Sequence, residues 1–445
     1  MTLPPLLRTV LRTAPRRYAV PGLPADTGSG SRPETALAAA IERGRLAPAD
    51  AEAAPAFIAA LARVTHDAWQ RDAAFQAAVL RHASPSVREY ASISAQYAAQ
   101  DRRSLQSAVH GFAHPAKLAR LPQGAARAAL AQLAALLDRA DWPGLERAVA
   151  RLLAAPPSAD LLPALERLQA LPALARLRRL VELEAEPEVE RYRAVLALLG
   201  PRQGSDDAFA QGAAARERGD SAEAEAADAL RALAARLDRA DAPRRYRVVT
   251  SLRVPASLAS DADRAKSEWD VVLLCQAGAA AQAWDLCLLV EVKASADAAA
   301  TDLPRLARGL AVLAAADPAL DYAFATTQGT VPISGASLAA LSGALDETVL
   351  YCCGDAAAEQ DGRSGVRVLS AAARMQLLSA PATLDYAARL AAGEPPDTAL
   401  LAPLWTELLH APRWQPVRDQ YAVLQRARGL MVHTADLRRA IAETA

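Results

Sequence analysis

Two different patterns of hydrophobic and polar residues divide this chain. From residue 35 to about residue 200, apolar residues recur three and four positions apart, as in AALAQLAALLDRADWPGLERAVARLLAA, with proline-containing turns between the runs. This spacing predicts a series of short helices, each with one apolar face. Similar short segments rich in Leu and Ala recur along this region and suggest helical hairpins. They recur with no fixed period, so no solenoid is predicted.

A second pattern begins at about residue 205. One helical segment, DSAEAEAADALRALAARL, precedes the β-branched run RYRVVTSLRV and two further apolar runs, EWDVVLLC and WDLCLLVEV. A helix through LPRLARGLAVLAAA and the short strands YAFATT and TVLYCC follow. The order predicts a compact α-β-β-β-α-β domain over residues 205–370. An irregular lead-in (1–34), an α-helical region (35–204) and an α-helical C-terminal region (371–445) complete an α/β protein with large helical flanks.

The amino-acid composition restricts which binding partners and which cellular compartment we expect for this protein. The 445 residues suggest two or three domains, and the formal net charge of zero gives no global electrostatic reason to bind nucleic acid or membrane. The four cysteines lack C-x-x-C spacing and lie in apolar runs, which is typical of small core residues in a reducing compartment. No apolar run reaches the roughly 18 residues of a membrane span. We therefore expect a soluble, cytoplasmic protein.

The segment WDLCLLVEVKAS is an apolar strand that has two charged residues, Glu291 and Lys293, near its end. Alternation along a strand places Glu291 and Lys293 on one side, and a symmetric hairpin that pairs Cys275 with Leu286 sets Asp270 opposite Glu291. Two facing carboxylates require a compensating cation. Oxygen ligands suit Mg²⁺ or Mn²⁺, and no histidine occurs between residues 114 and 410 to favour zinc. Lys293 would then hold or deprotonate an attacking water, or neutralise charge on a phosphate.

This arrangement resembles the PD-(D/E)XK nuclease superfamily, which has the restriction-endonuclease-like fold. The resemblance covers about residues 205–355 and implies that Asp270, Glu291 and the backbone carbonyl of Val292 bind the metal, with Lys293 serving the water. It also implies that a glutamate on the first helix belongs to the catalytic, metal-binding set. Glu223 lies on the apolar stripe of that helix, whereas Glu225 lies off it and is held in reserve. Trp269 stands where the family name has proline.

The resemblance implies metal-dependent hydrolysis of phosphodiester bonds, with DNA as the expected nucleic acid. Arg305 and Arg308 on the following helix would contact phosphates, or they form an ordinary solvated helix face. The competing hypothesis is a non-catalytic scaffold or binding protein with a degenerate nuclease-like domain. In that case the helical regions would bind a protein partner or mediate self-association.

Simpler structural roles exist for several of these residues. The symmetric register sets Glu268 opposite Lys293, which would make an ordinary cross-strand ion pair. Asp285 is a rival acid, but its place at the start of the strand favours a turn residue. His110 and His114 have a spacing that suits a metal on a helix, although packing or helix capping explains them better.

Overall fold

The chain forms two compact units. The computed structural model describes residues 3–24, 31–156, 158–199, 206–241, 243–258, 265–276, 282–293, 295–343, 345–354 and 367–444, and the side chains of residues 206–215 are outside this description. One unit comprises Met1–Val64, Pro201–Leu378 and Leu401–Ala445, and the other comprises Thr65–Gly200 and Ser379–Leu400. The predicted boundary between residues 204 and 205 lies outside the described residues.

The unit of Thr65–Gly200 and Ser379–Leu400 is helical, and its helices between residues 73 and 198 bury leucine-rich faces in one cluster. Several of these helices begin with local capping contacts: the Asp72 side chain accepts the N–H of Phe75, Ser84 accepts that of Val87, and prolines occupy the first turns of many helices.

Across both units, the helices up to residue 200 are, in chain order, α1 (Pro5–Thr13), α2 (Pro33–Leu46), α3 (Ala53–Arg71), α4 (Ala73–Ala83), α5 (Pro85–Gln96), α6 (Ala98–Ala113), α7 (Pro115–Leu118), α8 (Ala125–Asp138), α9 (Trp142–Ala154), α10 (Leu162–Gln169), α11 (Pro172–Glu184) and α12 (Pro187–Leu198).

The other unit contains a mixed sheet, which confirms that the chain is an α/β protein with much helix. Its strands are β1 (Arg245–Arg253), β2 (Glu268–Gln276), β3 (Asp285–Lys293), β4 (Asp321–Thr326), β5 (Gly329–Ser334), β6 (Val349–Cys353) and β7 (Met431–His433). They lie in the order β5-β4-β1-β2-β3-β6-β7. Strands β1, β2 and β3 form an antiparallel meander, and β6 and β7 continue the sheet in parallel with β3.

Helices cover both faces of this sheet. On one face α13 (Asp206–Ala240) packs with α1 against Val271, Val290 and Leu350. On the other face α14 (Ala296–Ala314) packs against strand residues that include Val272 and Leu289. The remaining helices are α15 (Gly335–Ala339), α16 (Leu345–Thr348), α17 (Ala371–Leu378), α18 (Pro381–Ala391), α19 (Ala402–His410), α20 (Gln415–Arg418), α21 (Gln420–Gly429) and α22 (Thr434–Glu443), with 3₁₀ turns at Ala159–Leu161, Thr398–Leu401 and Pro412–Trp414.

Three elements correct the sequence-based description. The predicted lead-in contains α1, because Leu7 and Val10 form one apolar face that is fully buried. Strand β5 pairs with β4 along a segment rich in glycine, threonine and serine, where the apolar alternation is weak. Strand β7 lies in the predicted helical C-terminal region and is too short at three residues to produce a recognisable pattern. No helix in the described parts of the chain is long and apolar enough to cross a membrane.

Candidate active site

The antiparallel pair β2 and β3 brings Asp270 and Glu291 together. Val271 pairs with Val290, so Asp270 and Glu291 are the next facing positions toward the open end of the hairpin, away from its turn. The predicted anchor of this register was wrong, because Cys275 pairs with Asp285 and not with Leu286. The pairing register shifts by one residue between Leu273 and Leu274, so that the pairs from Leu273 toward Asp270 are those that the symmetric hairpin predicts. The two strands therefore reach the expected carboxylate pair through a β-bulge, which a symmetric hairpin does not include.

Glu291 is the buried centre of the site. Its side chain has no exposed surface, and its Oε2 atom lies 2.7 Å from the Lys266 Nζ atom and 3.3 Å from the Lys293 Nζ atom. The Oε1 atom is buried and has no hydrogen-bond partner among the described residues. A buried carboxylate oxygen without a partner is costly, and a cation or a water bound to this oxygen would reduce that cost.

Asp270 is held beside Glu291 by the backbone. Its Oδ2 atom accepts the N–H of Val292 at 2.8 Å, and its Oδ1 atom lies 3.9 Å from the Lys266 Nζ atom. The side chain retains 19% of its surface in contact with solvent, whereas Glu291 retains none. The cluster is therefore closed around Glu291 and accessible at Asp270.

Lys293 is fixed between two carboxylates. Its Nζ atom lies 3.2 Å from Asp302 Oδ2 on α14, in addition to the contact with Glu291. The Tyr351 hydroxyl on β6 donates to the same Asp302 oxygen at 3.4 Å. The predicted ion pair of Lys293 with Glu268 is not what the structure contains, because Glu268 pairs with β1 and its carboxylate lies 3.4 Å from Arg253.

The electrostatics of the cluster raise the pKa of both Glu291 and Lys293. Burial, followed by the nearby Asp270 carboxylate, raises the pKa of Glu291 to about 7, and the two ammonium groups offset only part of this rise. Burial lowers the pKa of Lys293, but the carboxylates of Glu291, Asp302 and Asp270 outweigh it, so the net pKa is raised. Lys293 is thus a cation at neutral pH and is better suited to stabilise negative charge than to remove a proton.

Glu223 is half-buried on α13, as the apolar stripe of that helix predicts, whereas Glu225 is exposed. Burial raises the pKa of Glu223, and the carboxylate of Asp270 raises it further, with smaller effects from Asp220 and Glu268. Glu223 therefore belongs to the electrostatic surroundings of Asp270. No ion pair joins it to the two lysines within the described residues.

Strained backbone lies next to Asp270. Ser251 on β1 occupies the position between two pairs, Thr250 with Val271 and Leu252 with Trp269, and it has a φ of +52°. Left-handed backbone is unfavourable for a residue with a side chain, and such strain is often found at functional sites. This position faces Asp270 across the two strands.

Sequence reasoning missed three members of the cluster: Lys266, Asp302 and Tyr351. Lysine usage offered a signal for the first of them, because the chain has 50 basic residues and its only lysines are Lys117, Lys266 and Lys293. Two of these three lysines, Lys266 and Lys293, contact the same oxygen atom, Oε2 of Glu291. Lysine and arginine are not interchangeable, since an ammonium is a compact point charge, and this choice indicates a site that requires one.

Close packing of α14 holds Lys266 in place. A Cβ atom added at Gly309 would lie 2.7 Å from the Lys266 Cβ atom and 2.9 Å from its carbonyl oxygen. The Lys266 N–H also donates to the carbonyl of Arg305 at 3.3 Å. Glycine at position 309 therefore permits the close approach of the helix to the segment that carries Lys266.

Replacing Gly309 with alanine is expected to lower the free energy of unfolding by about 1–3 kcal/mol, because backbone must shift to admit the methyl group. Urea denaturation would measure the change. Gly219→Ala is the matched control, since Gly219 lies in helix α13 and has open space around its Cβ position. That variant is expected to be neutral or more stable by up to about 1 kcal/mol. Equal effects of the two substitutions would contradict the close contact.

The carboxylate oxygens of Asp270 and Glu291 are ligands that suit a hard divalent cation bound by few protein groups. No group of three or more His, Cys, Asp or Glu side chains in the described residues forms a metal-binding cluster. Asp270 and Glu291 nevertheless offer carboxylate oxygens side by side, and the Glu291 Oε1 atom lacks a partner. Mg²⁺ commonly uses one or two carboxylates and completes its shell with water and phosphate oxygens, so these residues fit it. Val292 lies beside them through its N–H, and the role of its carbonyl stays a prediction.

The other candidates lie apart from this cluster or have structural roles. Arg305 and Arg308 are both exposed on α14, which leaves phosphate contact as a prediction. His114 caps α7 through its Nδ1 atom, as expected. Asp285 begins β3 opposite Cys275, at the other end of the strand from Glu291. All four cysteines are buried and free.

No family model, no curated protein and no solved structure matches this chain. Functional interpretation therefore depends on the cluster of Asp270, Glu291, Lys266, Lys293 and Asp302 itself.

Proposed function

We propose that this protein is a divalent-metal-dependent nuclease that hydrolyses phosphodiester bonds in nucleic acid, with DNA as the first substrate to test. The observation that carries the proposal is the adjacent pair of carboxylates, Asp270 and Glu291, with Lys293 on the same strand as Glu291. The protein's elements α13, β1, β2, β3, α14 and β6 also follow the α-β-β-β-α-β order of restriction-endonuclease-like domains, with β4, β5, α15 and α16 inserted between α14 and β6. The parallel pairing of β6 with β3 and helices on both faces of the sheet support the same assignment.

Each residue of the cluster has a separate role in this proposal. Asp270 and Glu291 would hold Mg²⁺ or Mn²⁺, which supplies Lewis-acid activation of water and of the phosphoryl oxygen. Lys293, as an ammonium, would stabilise the negative charge that develops on the phosphoryl group. Asp302 and Tyr351 would keep that ammonium at its position, and Glu223 would contribute negative charge near Asp270.

Hydrolysis of the bond then requires a water oxygen to attack phosphorus while the bond to the leaving alkoxide breaks. The water loses a proton to solvent, and the alkoxide gains one. Lys293 is charged, so it would act on the phosphoryl group rather than as the base. The exposed Arg305 and Arg308 would contact phosphates of the substrate backbone.

The direct test incubates the full-length protein with single-stranded, duplex and branched DNA and with RNA, each in Mg²⁺ and in Mn²⁺. Lys293→Gln is expected to lower the cleavage rate by about 10²-fold, because it removes a half-buried cation that stabilises transition-state charge. Lys117→Gln is the matched control, since this exposed lysine on α7 lies in the other unit. Cleavage by Lys293→Gln at the wild-type rate would reject the role of Lys293.

The second candidate is a non-catalytic nucleic-acid or protein-binding domain with a degenerate site. It is favoured by Lys266, whose ammonium already lies 2.7 Å from the Glu291 carboxylate. This candidate predicts that calorimetry detects no Mg²⁺ binding to the correctly folded protein. It also predicts no cleavage of any of the nucleic acids above.

A further inference from the structure

Lys266 is an unusual neighbour for two metal-binding carboxylates. It is 7% exposed, its Nζ atom lies 2.7 Å from Glu291 Oε2 and 3.9 Å from Asp270 Oδ1, and 5.8 Å from the centre of the Trp269 ring. Its backbone is held by Arg305 and is in close contact with Gly309. A side chain fixed in this way has little freedom to leave unless another cation replaces it.

The two lysines of the cluster do not have equivalent positions. Lys293 is balanced by Asp302 as well as by Glu291, so it retains an anionic partner if Glu291 binds a metal. Within the part of the chain that the structure describes, the carboxylates that Lys266 contacts are those of Asp270 and Glu291 themselves. A divalent cation held by these two residues would therefore compete with Lys266 and not with Lys293 for its counterions.

The charges of the cluster support exchange rather than shared occupancy. Both ammonium groups contact Glu291 Oε2, and Oε1 is left without a partner among the described residues. A divalent ion can engage more oxygens and supplies twice the charge of one ammonium. An ammonium and a divalent cation on the same oxygens would repel each other strongly at this degree of burial. One of them must therefore move.

We infer that Lys266 is a built-in counterion that occupies the metal position in the metal-free protein, and that metal binding displaces its ammonium from Asp270 and Glu291. This inference rests on the proposed function, and it gives Lys266 a positioning role. The ammonium keeps the two carboxylates together before the metal arrives. Once displaced, it becomes accessible at the open end of the cluster, where Asp270 contacts solvent.

The small number of lysines permits a direct measurement of this exchange. The full-length protein is treated with a trace of an amine-acylating ester, with and without Mn²⁺, and the modification of each lysine is followed by mass spectrometry. Mn²⁺ is expected to raise the labelling rate of Lys266 at least tenfold. The exposed Lys117 serves as the internal control and should label equally in both conditions.

Variants of Lys266 test the same exchange through metal affinity, measured by calorimetry with Mn²⁺ and Mg²⁺. Lys266→Met removes the competing cation and is expected to bind the metal at least tenfold more tightly than the wild type. Lys266→Arg keeps the charge and should remain near the wild-type affinity. Lys266→Gln, which still donates a hydrogen bond, replaces the methionine variant if that protein fails to fold.

The outcomes separate this inference from the proposed function. Metal binding to the wild type with unchanged Lys266 labelling, or with equal or weaker binding by the Lys266→Met or Lys266→Gln protein, would overturn the exchange and leave the nuclease proposal standing. Absence of metal binding in the wild type and in every variant would overturn both.

Discussion

Asp270→Asn is expected to lower the rate of phosphodiester cleavage by about 10³-fold or more. The substitution retains a side-chain oxygen that can accept the Val292 N–H, so the local backbone should be preserved. It removes one of the two adjacent negative charges that would bind the metal, and metal ions contribute several kcal/mol of transition-state stabilisation. The measurement is the initial rate of cleavage in saturating Mg²⁺, on the best nucleic-acid substrate.

Asp285→Asn is the matched control for this loss. Asp285 begins the same strand that ends near Glu291, and it is partly buried with a pKa raised by that burial. The chemical change is identical, but its position lies at the opposite end of the hairpin from the proposed site. This variant should cleave at the wild-type rate. Equal activity of Asp270→Asn and the wild type, with both proteins folded, would remove Asp270 from the site.

Glu291→Gln is expected to make the metal-free protein more stable at pH 8 by about 3 kcal/mol, while it abolishes cleavage. The folded protein holds the Glu291 proton up to a pKa of about 7, compared with an ordinary value of 4.5. Between these two values the folded state binds more protons than the unfolded state, so the free energy of unfolding falls as the pH rises. This difference of pKa corresponds to about 3 kcal/mol. Glutamine is neutral at every pH and avoids the loss.

Denaturant unfolding in the presence of a chelator, at pH 5 and at pH 8, would measure this effect. The wild type and Glu291→Gln should be similar in stability at pH 5, where Glu291 carries its proton, and should separate at pH 8. Glu225→Gln, on the exposed face of α13, should behave as the wild type at both values. A Glu291→Gln protein less stable than the wild type at pH 8 would show that Glu291 is a net stabilising ion-pair partner, as expected for a structural role.

Opposite effects of Glu291→Gln on stability and on activity would be typical of a functional site. The Lys266 and Lys293 ammonium groups lie within hydrogen-bonding or ion-pair distance of Glu291, yet they do not overcome the cost of its burial. A carboxylate chosen for stability alone would be replaced by an apolar residue at little cost. A carboxylate buried near the end of β3 fits the proposed site, which requires negative charge at the cost of some stability.

Much of the sheet-containing unit could be predicted because its signals are local. The apolar stripe of α13 and the alternation along β3 come from residues a few positions apart, and they place Glu223 half-buried and Glu291 on the same side as Lys293. The carboxylate pair was predicted from a symmetric hairpin. It was found at the expected position although the anchor pair was wrong, because the bulge absorbs the difference before Asp270 is reached.

The remaining contacts depend on segments that are distant in the chain or lack a pattern. Asp302 reaches Lys293 because α14 packs on the face of the sheet, and Tyr351 joins them because β6 pairs with β3 in parallel after a long connection. Strand β7 has three residues, fewer than an alternating pattern requires. Periodicity reports which face a residue occupies but not which partner it meets across that face.

By itself, the sequence determined the order of α13, β1, β2, β3 and α14, the mixture of a sheet with extensive helix, and the shared side of Glu291 and Lys293. These follow from hydrophobic spacing along single elements, which burial enforces locally. Only the tertiary structure decided that Lys266 contacts the same carboxylate oxygen as Lys293, that Asp302 balances Lys293, and that one oxygen of Glu291 has no partner within the described residues. Those properties arise from packing between separate elements, where a close approach such as that of Gly309 to Lys266 sets which charges meet.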